Sequence, residues 1–302
     1  MKGLLINNET ALSVMAVALA MMSLTAGAAL AKSMFSYIDP ASVTAIRFIM
    51  SAVFLTCVLR AWEVQLTRDN IGTVVVYGSM IAGMNLFFYL AIETIPIGMA
   101  LAIELVGPLC VSIVYSRKRS DVIWVALVAV GIAILLPTST SVMNLDATGV
   151  LYALVAGAFW GAYVIAGKKA GRQHGQKAPA LGLIVASILV FPIGIEKLSF
   201  SIIDWNVIML IALIALLSSV IPLILEMKAL RHLPTKTYGV LTSGEPVVGA
   251  AVGFFMLGEQ LTTLQFLGLA TIVIASIGTV TSPIPSIKRV NNKKAMGVTM
   301  TK

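Results

Sequence analysis

Long apolar stretches, separated by short polar connections, follow one another along almost the whole chain. A helix needs about 20 apolar residues to cross the roughly 30 Å of hydrocarbon in a bilayer. Within each stretch the apolar residues are continuous and do not alternate with polar ones, which excludes a transmembrane strand barrel. The pattern predicts an all-α membrane protein with ten transmembrane helices, over residues 12–31, 40–59, 71–92, 97–116, 121–137, 147–167, 179–195, 206–227, 236–257 and 262–281.

Composition and charge agree with this prediction. Hydrophobic residues make up 59% of the 302 residues and charged residues only 11%, whereas a typical soluble domain is about 45–50% apolar and about 25% charged. So few charges cannot cover the surface of a soluble globule of this size. The net charge of +8 is explained by membrane orientation, so we expect no nucleic-acid partner.

The basic residues predict that orientation. Eighteen of the 21 Lys and Arg residues lie at the termini or in the even-numbered connections, Lys32 and Lys197 lie on the opposite side, and Arg47 lies inside a span. Lys and Arg concentrate on the cytoplasmic side of membrane proteins. We therefore expect both termini in the cytoplasm, with the basic tail 283–302 close to anionic lipid headgroups.

A repeated Ala and Pro spacing divides the chain into two halves. The pattern occurs twice, with every equivalent pair 138 residues apart: Ala91, Pro96 and Pro108, then Ala229, Pro234 and Pro246. The halves are residues 12–137 and 147–281, with five predicted helices each. Because five is odd, the second half enters the membrane inverted, as in transporters that hold substrate where two repeats meet. Chance recurrence of this spacing in apolar sequence is the alternative.

Four charged residues lie inside predicted spans, where a charge costs about 2.5–3.5 kcal/mol on insertion scales. Arg47 and Glu104 each lie seven residues from the outer end of their span, about 10 Å deep at the helical rise of about 1.5 Å per residue. Their equal depth predicts an ion pair or a shared site. Glu245 lies near the midplane, and Glu226 is close enough to the cytoplasmic end of its span to reach the headgroups. We predict that Glu104 and Glu245 bind substrate or a proton, a structural pairing being the alternative.

Uncharged polar groups and one basic residue extend the candidate site. Asn85 and Tyr89 are one helical turn apart in the third span, and Lys32 lies at the outer end of the first. All three side chains can hydrogen-bond a polar substrate. Small hydroxyls such as that of Ser23 more often bond their own helix.

Glycine and proline mark two further features. Gly107 with Pro108, and Gly244 with Pro246, are candidate helix breaks, which free backbone groups for a substrate; a static packing kink is the alternative. The GxxxG patterns at 157–161 and 249–253 permit close helix contact, either within one chain or in a homodimer. The sequence contains no metal-ligand cluster and no nucleotide-binding fingerprint, so we predict no metal, no cofactor and no enzymatic activity.

Several short segments of this sequence match a known pattern: Gly27–Ser33, Gly83–Asn85, Phe88–Leu90, Pro96–Gly98, Glu104, Gly107–Leu109, Glu226–Met227, Leu233–Thr237, Gly239 and Ser243–Pro246. Over about residues 12–282 the chain resembles the EamA family of the drug/metabolite transporter superfamily, and within it the bacterial threonine/homoserine exporters. The resemblance implies a secondary transporter of the bacterial inner membrane that exports small amino acids in exchange for protons.

A zwitterionic substrate needs two partners of opposite charge. Its ammonium group suits Glu104 or Glu245, and its carboxylate suits Arg47, Lys32 or backbone donors at the helix breaks. Efflux or uptake of another metabolite or drug stays open, because no motif encodes substrate or direction. A membrane sensor without transport activity would need a soluble domain or a long loop, and the longest connection has only about 11 residues.

The charge distribution makes a topology prediction. In a chain whose two native cysteines are replaced, we expect a cysteine at position 144 to react with an impermeant thiol reagent added to intact cells. A cysteine at position 172 should react only after the membrane is permeabilised. The reverse accessibility would refute the orientation derived from the basic residues.

Overall fold

The computed structural model describes residues 8–115, 121–135, 146–198, 204–230 and 241–281. Every regular element in these ranges is helical. The main helices are α1 (Asn8–Met34), α2 (Pro40–Leu59), α3 (Arg68–Thr94), α4 (Ile97–Glu104), α5 (Val106–Tyr115), α6 (Asp121–Leu135), α7 (Ala147–His174), α8 (Ala178–Glu196), α9 (Trp205–Ala215), α10 (Ile221–Leu230), α11 (Glu245–Leu257) and α12 (Thr263–Thr281). A π-helical turn, Leu216–Val220, joins α9 to α10. The predicted basic tail 283–302 and residues 236–240 of the ninth predicted span lie outside the described residues.

The predicted helical membrane protein is confirmed at the level of its class. Five described segments are long and apolar enough to cross a bilayer: Ala11–Met34, Pro40–Leu59, Asn70–Thr94, Ala147–Glu196 and Trp205–Glu226. Shorter apolar helices cover Ile97–Val111, Glu245–Leu257 and Thr263–Ala275. Hydrocarbon offers no partner for backbone polar groups, so a continuous apolar run satisfies them by forming a helix. The count of ten crossings in two repeats stays a prediction.

Aspartates at helix N-termini determine where several helices begin. The Asp39 carboxylate accepts a hydrogen bond from the Ala41 N–H at the start of α2, and Asp204 does the same for the Val207 N–H at the start of α9. At α7, the Gly149 N–H donates to Asp146 and lowers the pKa of that carboxyl. A lowered pKa means that this capping stability is present above the unfolded pKa and is lost as the pH falls through the folded one.

Helices of the two halves pack against each other in pairs. Residues of α3 contact α7, those of α1 contact α10, and those of α2 contact α8. In addition α4 contacts α11, and α6 contacts α12. Each of these pairs joins one helix from residues 12–137 to one from 147–281. The interior is therefore built between the halves, and the largest buried cluster contains residues from both.

Glycines allow the closest of these contacts. A Cβ atom at Gly107 would lie 1.6 Å from the Gly157 carbonyl oxygen, and one at Gly157 would lie 2.6 Å from that of Glu104. On the other pair, a Cβ atom at Gly249 would lie 2.5 Å from the Leu101 Cδ1. Both GxxxG patterns therefore use a glycine for packing inside the chain. A homodimer stays a prediction, and these two glycine faces are occupied by helices of the same chain.

An ion pair ties the halves together at the end of α1. The Lys32 Nζ donates to Glu259 Oε1 at 2.6 Å and to the Ile95 carbonyl oxygen at 2.8 Å. The second oxygen, Glu259 Oε2, accepts the Ile97 N–H at 3.1 Å, at the start of α4. Lys32 and Glu259 are both largely shielded from solvent, with 19% and 12% of their side chains exposed. One cation and one carboxylate thus join α1, the turn before α4 and the connection after α11.

The glycine contact between α5 and α7 makes a stability prediction. Gly107→Ala pushes a methyl group into the Gly157 backbone, which cannot move aside as a side chain would, so the detergent-solubilised protein should melt about 5 °C or more below the parent. Gly171→Ala is the control, because a Cβ atom there meets nothing within 4 Å. Since alanine is the better helix former, that variant should melt at or above the parent. Equal midpoints for the two variants would contradict the close packing.

Candidate functional site

Arg47 lies in the middle of α2 and is only 1% exposed. Its Nη1 donates to the Ser218 and Ser219 hydroxyls at 3.1 and 3.0 Å, and its Nη2 donates to Asn85 Oδ1 at 2.9 Å. The Asn85 amide nitrogen in turn donates to the Ile81 carbonyl oxygen of its own helix. One guanidinium group therefore connects α2, α3 and the π turn.

Two aromatic rings cover the same guanidinium group. The Arg47 Cζ lies 4.7 Å from the ring centroid of Phe48 and 4.6 Å from that of Tyr89. At these distances the negative ring faces attract a cation. Tyr89 itself is 1% exposed and packs against Phe35, with ring centroids 5.7 Å apart. Rings and hydroxyls thus replace part of the hydration that Arg47 has lost.

Two polar atoms at this place have no partner among the described residues. The Arg47 Nε and the Tyr89 hydroxyl are buried and make no hydrogen bond within the described part of the chain. The charge of Arg47 is also uncompensated, since the ion pairs among the described side chains are Lys32–Glu259, Lys177–Glu63 and Lys197–Asp39. Leaving a buried donor unsatisfied costs about 1–3 kcal/mol, and more for a charged group.

The predicted ion pair between Arg47 and Glu104 is therefore wrong. Equal depth in the membrane sets the height of two side chains but not the direction in which each leaves its helix. Arg47 extends toward α3 and the π turn, whereas Glu104 interacts electrostatically with Glu245 of α11. The two charges belong to different groups of side chains.

Carboxylates form the second group. Glu104 is only 5% exposed at the end of α4, and Glu245 begins α11. Glu245 also interacts electrostatically with Glu226 of α10. Glu104 and Glu245 form no ion pair with a described basic side chain. Carboxylates without a basic partner in a low-dielectric interior attract a cation.

Both predicted helix breaks lie next to these carboxylates. Leu105 is a turn between α4 and α5, two residues before Gly107 and three before Pro108. Gly244 is a turn residue that precedes α11, whose first two residues are Glu245 and Pro246. Since proline has no N–H, Pro108 leaves the Glu104 carbonyl oxygen without its usual donor four residues on.

The structure assembles some of the predicted residues and separates others. Arg47, Asn85 and Tyr89 come together, and Glu104 and Glu245 are electrostatic neighbours. Lys32 is engaged by Glu259, at the end of α1. Tyr89 and residues of α4 next to Glu104 belong to the same buried cluster, so the two groups of side chains share one interior.

Sequence reasoning missed Ser218 and Ser219. They are two adjacent hydroxyls inside an apolar span, three and four residues before Pro222. That combination was the available signal, because a proline inside a helix disturbs the backbone of the preceding turn. The Ser218 hydroxyl donates to the Ile214 carbonyl oxygen of its own helix and still accepts from the distant Arg47 side chain.

Comparison with known proteins identifies relatives over most of the chain. The EamA-like transporter family matches residues 147–281. The chain is 38% identical over 284 residues to the threonine/homoserine exporter RhtA of Salmonella typhimurium, covering 93% of this chain and 96% of the relative. It is 39% identical over 267 residues to the RhtA of Escherichia coli K12, covering 88% and 90%.

A more distant relative and one solved structure are similar to the chain. The uncharacterized transporter YwfM of Bacillus subtilis is 28% identical over 197 residues, or 63% of this chain and 66% of YwfM. A solved crystal structure aligns with 91% of this chain and with 98% of its own chain. The TM-score is 0.62 and the sequence identity 16%, which shows a shared fold. Because the identity to the exporters extends over nearly their whole length, the chain belongs to the EamA-like transporter family.

Proposed function

We propose that this transporter exports threonine, homoserine or closely related small amino acids across the bacterial inner membrane. Membership of the family makes the protein a carrier of a solute and not an enzyme. The relatives with the highest identities quoted above are named threonine/homoserine exporters. The observation that carries the proposal is the buried guanidinium of Arg47, which has an unsatisfied Nε and no carboxylate partner among the described side chains.

An amino-acid zwitterion supplies both missing charges. Its carboxylate can accept hydrogen bonds from the Arg47 Nε and the Tyr89 hydroxyl, the two buried groups without partners. Its ammonium group can bind Glu104 or Glu245. Charges that are unpaired in a low-dielectric interior are costly, so a ligand that neutralises an arginine and a carboxylate together binds more strongly than one that neutralises either alone. A solute without charged groups would leave both the arginine and the carboxylate unpaired.

We further propose ten spans arranged as two inverted five-helix repeats, residues 12–137 and 147–281. Numbering the predicted spans in order, the contacts pair span 3 with 6, 1 with 8, 2 with 7, 4 with 9 and 5 with 10. In an inverted repeat, span 1 is equivalent to span 6, span 2 to span 7, and so on to spans 5 and 10. Under this equivalence the contact of spans 3 and 6 becomes that of spans 8 and 1, which is also observed. Each of the other three contacts joins two equivalent spans. The packing thus agrees with a two-fold relation between the halves, which supports the repeat. The cytoplasmic termini rest on the distribution of Lys and Arg.

Exchange against protons completes the proposal. Glu245 stands on the first turn of α11, beside a helix break, and interacts electrostatically with both Glu104 and Glu226. A proton bound there would remove one negative charge from a group of three neighbouring carboxylates. We assign the proton to Glu245 and the substrate ammonium to Glu104, which is the more deeply buried of the two. A proton and a substrate would then leave and enter the same group of carboxylates in turn.

Arg47 gives the first test. In proteoliposomes, Arg47→Lys should raise the half-saturation concentration for threonine about tenfold or more, because lysine keeps the charge but loses the planar donors. Threonine amide, which lacks the carboxylate, should be a poor substrate for the parent and equally poor for the variant. Arg68→Lys is the control, since Arg68 is exposed at the start of α3, and its transport should match the parent. Unchanged threonine affinity in a folded Arg47→Lys carrier would exclude Arg47 as the carboxylate site.

Glu245 gives the second test. Glu245→Gln should abolish the dependence of threonine flux on an imposed pH gradient, because the side chain can no longer exchange a proton. Glu104→Gln should instead weaken threonine binding while any remaining flux still follows the gradient. Glu196→Gln, which alters an exposed carboxylate at the end of α8, serves as the control. A folded Glu245→Gln carrier with normal gradient-driven flux would show that another group carries the proton.

A further inference from the structure

The π turn Leu216–Val220 leaves one backbone carbonyl without a donor from its own helix. The Ile221 N–H donates to the Leu216 oxygen, five residues back. The Ile221 N–H therefore does not bond the Leu217 oxygen, which would be its acceptor in an α-helix. The next residue, Pro222, has no N–H and cannot continue the five-residue pattern. Leu217 thus depends on a donor from elsewhere in the protein.

Ser23 supplies that donor from the other half of the chain. Its hydroxyl donates to the Leu217 carbonyl oxygen at 2.7 Å, a bond between residues 194 apart in sequence. One turn farther along α1, a Cβ atom at Gly27 would lie 2.8 Å from both the Ser218 Cβ and the Ser218 nitrogen. A small residue at position 27 lets α1 approach closely enough for the Ser23 bond. The serine therefore acts as a replacement for the missing N–H of Pro222.

The π turn determines how Arg47 is held. Adjacent residues of an α-helix do not face the same partner, yet Ser218 and Ser219 both accept from the Arg47 Nη1. Ser218 and Ser219 are the first and second residues after Leu217. π turns inserted in α-helices occur frequently at functional sites. Any change in the bonding of Leu217 is thereby transmitted to the guanidinium group.

We propose that Ser23 is a positioning residue for substrate binding: it completes the π turn broken by Pro222 and so orients Ser218 and Ser219 toward Arg47. The inference rests on the proposed role of Arg47 in binding the substrate carboxylate. The Ser23 hydroxyl donates to the Leu217 carbonyl oxygen and not to Arg47. It acts through the Leu217 carbonyl, which links α1 of the first half to the binding site.

Four variants in proteoliposomes test the proposal. Ser23→Ala should raise the half-saturation concentration for threonine about tenfold, the effect of one unsatisfied buried acceptor, with a much smaller change in maximal rate. Ser23→Thr keeps the hydroxyl and should stay near the parent. Pro222→Ala added to Ser23→Ala should restore affinity, because the new N–H can donate to Leu217. Ser33→Ala is the control on the same helix, since among the described residues the Ser33 hydroxyl bonds the Leu30 carbonyl oxygen of α1 alone.

Amide hydrogen exchange separates this proposal from the proposed function. The amides of residues 216–221 should exchange about tenfold faster in Ser23→Ala and return to the parent rate in the double variant, whatever the substrate is. If exchange responds in this way but the parent carries neither threonine nor homoserine, the proposed function fails and the structural role of Ser23 stands. Unchanged exchange and affinity in Ser23→Ala would overturn the positioning role. So would a fall in maximal rate alone, or a double variant that is no better than Ser23→Ala.

Discussion

The interior of this transporter depends on a buried cation that has no ion-pair partner among the described side chains. Arg47 is held by two serine hydroxyls, one amide oxygen and two ring faces, all of them uncharged. Such groups replace part of the lost hydration without neutralising the charge. A carboxylate bonded to Arg47 would have closed the site to an anionic ligand. The pairing with neutral groups leaves the guanidinium able to attract a carboxylate from outside the protein.

The residues of the proposed binding site come from both halves of the chain. Arg47, Asn85 and Tyr89 belong to the first half, and Ser218 and Ser219 to the second. The glycine contacts bring backbones of the two halves together without side chains between them, and the Lys32–Glu259 ion pair links the halves at the end of α1. Movement of one half against the other would therefore change the surroundings of Arg47 directly. In transporters built from two repeats, such movement of one half against the other exposes a central site to the two sides of the membrane in turn.

Opposite charges are kept apart in this arrangement. Arg47 has α2, α3 and the π turn around it, while Glu104 and Glu245 interact with each other. An internal ion pair would have satisfied both sides at once, and a substrate would then have had to break it. Separation leaves both groups free of an internal ion pair among the described side chains, as the proposed binding of a molecule that carries both charges requires. The cost of the unpaired groups is met by the hydroxyls, rings and helix packing around them.

The sequence by itself determined the helical membrane class, the likeness to a transporter family and the charged residues that occupy the spans. These features are local, because hydrocarbon leaves a continuous apolar segment no alternative to the helix and makes every charge within it exceptional.

Only the tertiary structure decided which side chains meet. The sequence predicts the same depth for Arg47 and Glu104, yet in the structure the two side chains have different partners. Ser218 and Ser219 reach Arg47 through a π turn that Pro222 disturbs and Ser23, 194 residues from Leu217, completes. Contacts between distant segments depend on how whole helices pack, and no local pattern specifies that packing.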